Sequence, residues 1–526
     1  MSADAAPRGN RLFLKKSIEQ VQRESESHHL KRTLGAMNLV LLGIGCIIGA
    51  GIYVMTGNAA ANFAGPAVIL SFIIAFLACV FAGLCYAELA STMPVAGSAY
   101  TYSYTSLGEV FAWVMGWLLV LEYGVAAATV AAGWSGNVVS LLANFNIVIP
   151  PEFTTSFIQA KTGSDGLLTF VTSGGANVLG AAGILMVTLL LVVGISESAS
   201  VNNVIVFIKV GVLLLFIGFG LGFINIANWQ PFIPENEGGF KYGVPGIFRA
   251  ASVIFFAYVG FEAVSTAAAE AKNPKRDVPI GILGSLIVCT IIYMLVAAVL
   301  TGVVPFRELG VAAPIALAVD KMGIPWFALL IKVGAVAGLS SVMLILTYGQ
   351  TRIFYAMARD GLLPRFFATL HPKFRTPWVG TLILGSIIAV GAAMLPIEIL
   401  GDLVSLGTAT AFAIVCISVM YLRRARPDLE RPFRAPWGMV TPILGIFFAL
   451  LMTGPLLLDM YAKATSGDPI PAYLLGGYLS LGALIYIGYG FWNSRLGKGL
   501  PQIDDDQGAG PGAEQAIAHG LGDGHG

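Results

Sequence analysis

Gly43-Ile44-Gly45-Cys46-Ile47-Ile48-Gly49-Ala50-Gly51-Ile52-Tyr53 is the stretch that decides how this chain is read. Four glycines fall within nine residues, with no charge and no proline, inside the first long apolar run. Each glycine that replaces alanine costs a helix interior roughly 1 kcal/mol, so a helix through this stretch is built to come apart in its middle. Broken backbone at membrane depth is tolerated only where it is buried in protein or lines a polar cavity. There it exposes amides and carbonyls that can hold a small zwitterion, and such interruptions point to a solute-binding site.

The rest of the chain supplies the membrane setting. Of 526 residues, 56% are hydrophobic and 11% charged, against about 25% charged in a soluble protein. The composition is that of an all-α polytopic membrane protein. A membrane helix needs about 20 mostly apolar residues. Twelve stretches qualify, at roughly 34–60, 67–91, 108–142, 177–195, 200–225, 246–270, 279–303, 325–357, 378–396, 400–422, 438–459 and 471–492. The net charge of +1 gives no case for nucleic-acid binding. The first thirty residues are polar and mixed in charge, so no removable signal peptide is expected. Cys46, Cys79, Cys85, Cys289 and Cys416 all lie in apolar stretches without metal-ligand spacing, and read as small buried hydrophobes.

Lys and Arg set the orientation. With the N-terminus inside, 22 of the 30 lie in cytoplasmic segments, six lie outside, and Lys209 and Lys332 fall within spans. Arg249 is counted among the outside six. Both termini are therefore expected in the cytoplasm, in a multi-pass protein of the plasma (inner) membrane. Residues 11–26 suggest an amphipathic helix on the membrane surface, with a solvated helix as the alternative. The loop 143–176 reads as an external cap, and the tail 497–526 as disordered.

Five spans separate the first break from a second. The sixth span reads Ile254-Phe255-Phe256-Ala257-Tyr258-Val259-Gly260-Phe261-Glu262, with a glycine and an acid at membrane depth. Matching interruptions five spans apart predict an inverted repeat, in which the two unwound segments face each other near the midplane. Spans 1–5 (34–225) and 6–10 (226–422) form the repeat. Residues 423–496 add two extra spans, and 1–33 precede them all. Close helix packing is the competing reading of the glycines.

An amino acid carries a carboxylate and an ammonium on one carbon. The first break offers N–H groups and the positive end of a half-helix, which suit the carboxylate. The second offers carbonyls, which suit the ammonium. Selectivity for the side chain then falls to spans three, six and eight. Glu122 in span three either meets substrate or holds a structural partner, and Glu262 could cap the inner half-helix. Charges inside spans default to functional hypotheses. Lys209 could stand where a sodium ion sits in sodium-driven relatives of this architecture, or load a proton, or snorkel to the interface. Lys332 reads as snorkelling. No histidine falls in a span, which excludes a histidine relay. There is no metal-ligand pattern and no cofactor motif.

Four segments together carry a resemblance: Leu30-Lys31-Arg32-Thr33-Leu34-Gly35 leading into Gly43–Tyr53, Phe255–Thr266, Glu270–Ile282, and Gly349-Gln350-Thr351-Arg352 through Gly361-Leu362-Leu363-Pro364. The chain resembles the cationic amino acid transporter family of the amino acid–polyamine–organocation superfamily over most of 10–495. The resemblance implies a leucine-transporter-like core and secondary amino acid transport that is sodium-independent and often proton-coupled, with the lysine of span five in place of sodium. Lys209 matches that lysine. It further implies that Ile47, Gly49, Ala50 and Gly51 meet the substrate carboxylate. The carbonyls of Phe256, Ala257 and Val259 would meet its ammonium, Phe256 would gate the pocket, and Glu122 would line it. Ala50 departs from the Thr or Ser of many relatives and loses a hydroxyl contact. Arginine, lysine and small neutral amino acids all remain open as substrates. An exchanger without net proton movement shares every motif. An intramembrane enzyme or a channel would need a catalytic cluster or a continuous polar stripe, and neither is present.

Overall fold

A computed structural model describes residues 11–18, 21, 33–94, 98–162, 168–194 and 199–500. Glu197, residues 22–26 and the tail from 501 lie outside them. The twelve expected spans appear as helical segments. The first is split into Ala36–Ile47 and a far half made of Gly51–Met55, Thr56–Ala59 and Ala60–Ala64. The second is Val68–Thr92. The third runs Glu109–Leu119, Val120–Val125 and Ala126–Ala143 without interruption. The fourth and fifth are Val178–Val193 and Ala199–Gly220. The sixth is split into Gly243–Ile254 with the turn Phe255–Tyr258, and Ala263–Thr266 with Ala267–Glu270. Then come Pro274–Val303, Pro325–Arg359, Trp378–Met394, Ile397–Ala425, Val440–Thr465 and a twelfth beginning at Ile470–Ile485. Among the described residues, nine helical stretches have the length and apolarity to cross a bilayer, and Ala36–Ile47, Val178–Val193 and Trp378–Met394 are shorter apolar pieces.

Packing bears out the repeat. Span two lies against span seven, three against eight, and four against nine. Span one packs on seven as six packs on two, and span five packs on eight as ten packs on three. Contacts from the first five spans to the second five thus recur with the roles of the two halves exchanged. The described end residues meet: the Arg11 guanidinium sits 5.0 Å over the Phe491 ring, so both lie at one face. We call this the near face and the opposite one the far face.

Four expectations change. Arg11–Phe13 form a short turn and 14–17 are irregular, with helix at the described residues Ile18 and Val21, and the segment is docked on the bundle with both of these side chains buried rather than lying on the membrane surface. Leu14 O accepts the Glu109 N–H at 3.0 Å, and buried Lys16 pairs with Asp360 at the end of span eight at 2.6 Å. Those contacts offer the segment more than lipid could. Lys332 does not snorkel. It is 1% exposed, and Nζ donates to Asp320 at 2.8 Å and Asn144 Oδ1 at 2.9 Å, because a local acid and amide replace its water. Arg249 lies inside the sixth span, which starts at Gly243, and not in an external loop. The first tail residues are ordered, with a turn at Leu496–Lys498. Among the described residues the one sheet is a hairpin in the far-face loop, β1 (Ile158–Thr162) and β2 (Leu168–Thr172), paired antiparallel with Ala160 opposite Phe170.

Candidate substrate site

The first span stops at Ile47. Ile48 takes φ −71° and ψ 99°, which is extended backbone, and helix resumes at Gly51. The resumed half begins with a π-type turn, and a helix start leaves its first N–H groups without intrahelical acceptors. The sixth span turns out of its helix at Val259 (ψ 130°) and Gly260. Gly260 sits at φ +119°, in the region that favours glycine.

The two breaks touch. A Cβ on Gly51 would meet the Ala257 Cα well inside 3.0 Å, and one on Gly260 would stand 2.8 Å from the Cys46 carbonyl carbon. The structure therefore brings Ile47, Gly49, Ala50, Gly51, Phe256, Ala257 and Val259 to one buried place. Several backbone groups there are already engaged. Ile47 O accepts from Tyr293 Oη at 2.8 Å, Gly49 O from the Tyr53 N–H at 3.3 Å, and Phe256 O from the Val259 N–H at 3.1 Å. Gly51 also has the close-packing task that was the competing reading of the glycines, since it lets the two broken backbones meet.

Lys209 reaches this place from span five. Its Nζ donates to Gly45 O at 3.0 Å, two residues before the first half-helix ends, and the side chain is 1% exposed. Snorkelling is thus excluded. Its stem lies against Gly338 of span eight.

Glu122 and Glu262 are both fully buried, and Tyr123, the neighbour of Glu122 in span three, donates to Glu262. Glu262 accepts the Gly260 N–H at 2.9 Å and the Tyr123 hydroxyl at 3.1 Å, so its side chain serves the break itself, and makes no cap bond to the inner half-helix that it was expected to cap. Both Glu122 oxygens lack a donor among the described residues. The structural partner expected as the alternative role of Glu122 is thus not found among the described residues. Gln350, Thr347, Ser405 and Thr408 add further buried polar atoms without partners on spans eight and ten. Such atoms are ordinarily satisfied by water or ligand.

Residues 34–479 match the amino acid permease family. The chain is 42% identical over 487 residues to the methylthioribose transporter of Bacillus subtilis, covering 93% of this chain and 99% of the relative. It is 44% identical over 443 residues to the branched-chain amino acid permease BcaP of the same organism, covering 84% and 92%. It is 37% identical over 422 residues to the vacuolar cationic amino acid transporter 4 of Arabidopsis thaliana, covering 80% and 68%.

Proposed function

We propose that this chain, which belongs to the amino acid permease family, accumulates its substrate by alternating access, with a proton as coupling ion and no need for sodium. That it is a multi-pass membrane protein for amino acid transport, and not an enzyme, follows from the family and its relatives. Our reading places the near face in the cytoplasm of a cell bounded by the plasma (inner) membrane, in keeping with the Lys and Arg bias. Substrate binds between the breaks, with its carboxylate toward Gly49–Gly51 and its ammonium toward the Phe256–Val259 carbonyls.

One observation carries the coupling claim: the bond from Lys209 Nζ to Gly45 O. A sodium ion would hold the first span to its surroundings by gathering such carbonyls. Here a side-chain ammonium does so, and an ammonium can exchange a proton. The substrate itself stays open among branched-chain, cationic and small neutral amino acids. The methylthioribose relative shows that the architecture also serves a solute with no α-amino acid group.

The test is uptake into proteoliposomes holding the full chain. Labelled alanine, leucine, lysine, arginine and methylthioribose are offered under imposed pH and sodium gradients. With one proton per substrate, an inward gradient of one pH unit should support about tenfold accumulation, and sodium should add nothing. Accumulation that requires sodium sinks the role of Lys209. Vigorous exchange that ignores both gradients returns the exchanger.

Glu122, buried and with neither oxygen bonded among the described residues, offers the proton a second seat. Glu122→Gln removes its titratable group in the same volume. Substrate exchange should survive in this variant, while the response of uptake to pH flattens. A response identical to wild type would clear Glu122 of any coupling role.

A further inference from the structure

We propose that Arg249 is the hub of a latch holding the far ends of both broken spans against span ten, and that the far side of the substrate site opens only when this hub parts from Asp402 and Asp459.

Arg249 lies in the far half of span six and is 1% exposed. Its Nη2 donates to Asp402 Oδ2 of span ten at 2.6 Å, and its Nε and Nη2 each donate to Asp459 Oδ2 of span eleven at 3.1 Å. The guanidinium sits 4.7 Å over the ring of Phe63, in the far half of span one. Span one has its own tether to span ten: Asn58 Nδ2 donates to Glu398 Oε1 at 2.8 Å. Both half-helices that carry the proposed binding backbone are therefore tied to the same helix, one turn apart along it.

The network continues to the loop above. Lys463 donates to Asp459 Oδ2 at 3.0 Å and sits 5.4 Å from the Phe170 ring of β2. The Phe170 N–H donates to Asp468 Oδ2 at 2.7 Å, and its side chain packs against Leu121, Ile399 and Leu403. The hairpin thus lies over span ten and shields the ion pairs from water. Arg249 and Lys463 balance Asp402 and Asp459 in sign, so the group is stable while it is closed. Once water or movement separates Arg249 from its acids, Arg249 and Asp402 lose their partners together, while Asp459 keeps Lys463. That makes the contact two-state rather than gradual, as a gate requires.

One turn below Asp402, toward the midplane, Ser405 is buried, and its hydroxyl has no partner among the described residues. It serves as a reporter of access beneath the latch. The proposal rests on the reading that the site is reached alternately from the two faces and that the far face is external.

The experiment compares Ser405→Cys alone with Ser405→Cys plus Arg249→Gln in the full chain in sealed vesicles. A membrane-impermeant thiol reagent is added on one side at a time, and wild type serves as background for the five native cysteines. The latch predicts that Arg249→Gln raises external labelling of the reporter about tenfold, with internal labelling unchanged. Arg249→Gln leaves Asp402 without its cation and Asp459 with Lys463 alone, so Asp402→Asn provides a second variant in which Asp459 still neutralises the guanidinium, and it should raise external labelling less. Faster labelling from the internal side only would support the latch and overturn the assignment of the far face. Equal labelling with and without Arg249 in folded protein, or a rise from both sides alike, would overturn the latch.

Discussion

Gly51→Ala removes binding of every substrate, lowering affinity about 100-fold or more, although it adds a single methyl group to a helix start. The carbon it adds would lie against the Ala257 Cα inside hard contact. The obstacle is backbone, so no rotamer change relieves it, and the two breaks must move apart. A misplacement of roughly 1 Å in a preorganised site is enough for a loss of about 100-fold, and overpacking a tight core costs about 1–3 kcal/mol besides. Gly51→Leu extends the same failure. The measurement is equilibrium binding of each labelled panel substrate to purified protein, with size-exclusion behaviour as the check on folding. Ala257→Gly should not rescue Gly51→Ala, because deleting the Ala257 methyl leaves its Cα in place. Loss of one substrate with retention of others would show that recognition there does not run through backbone shared by all substrates.

This prediction marks where sequence reading was strong and where it stopped. The breaks at Ile48 and Gly260 were legible because glycine is costly inside a helix and because the two interruptions stand five spans apart. Glu262 was legible as an acid at membrane depth that needs a reason, although it bonds the Gly260 N–H of the break and not the inner half-helix. The meeting of Gly51 with Ala257 was not legible, since nothing local records which backbone another backbone approaches. Arg249 was counted as an external charge because it follows a polar loop. The signal that could have corrected this lay elsewhere, in Asp402 and Asp459, two acids inside apolar spans that needed a cation. Lys332 and Asp320 repeat that lesson. The docked N-terminal segment had no readable signal at all, because Lys16 and Asp360 lie 344 residues apart in the sequence. Charge pairing across spans is a property of the fold, and single-span patterning is blind to it.

Lys209→Met is expected to abolish gradient-driven accumulation while leaving substrate exchange measurable. Methionine fills nearly the same path beside Gly338 but has no donor for Gly45 O. The orphaned carbonyl costs about 1–3 kcal/mol. Part of that falls on the conformation in which the first span is held to span five, so the equilibrium between faces should shift as well. Lys209→Ala removes the same donor and adds a cavity, at a further cost of about 2–5 kcal/mol. The two variants therefore separate coupling from packing. If Lys209 carries the coupling, both lose accumulation equally, and only the alanine variant is markedly less heat-stable. If Lys209 is merely a strut, loss of transport should follow loss of stability, and the methionine variant should accumulate substrate nearly as wild type does. Uptake under an inward pH gradient, set beside thermal unfolding of the same detergent-purified samples, decides between them. The ammonium stands at a carbonyl of the first half-helix, two residues before the break. A protonation change there would alter the first span's anchor and its freedom to move in the same step, which is what linking an ion to alternating access demands.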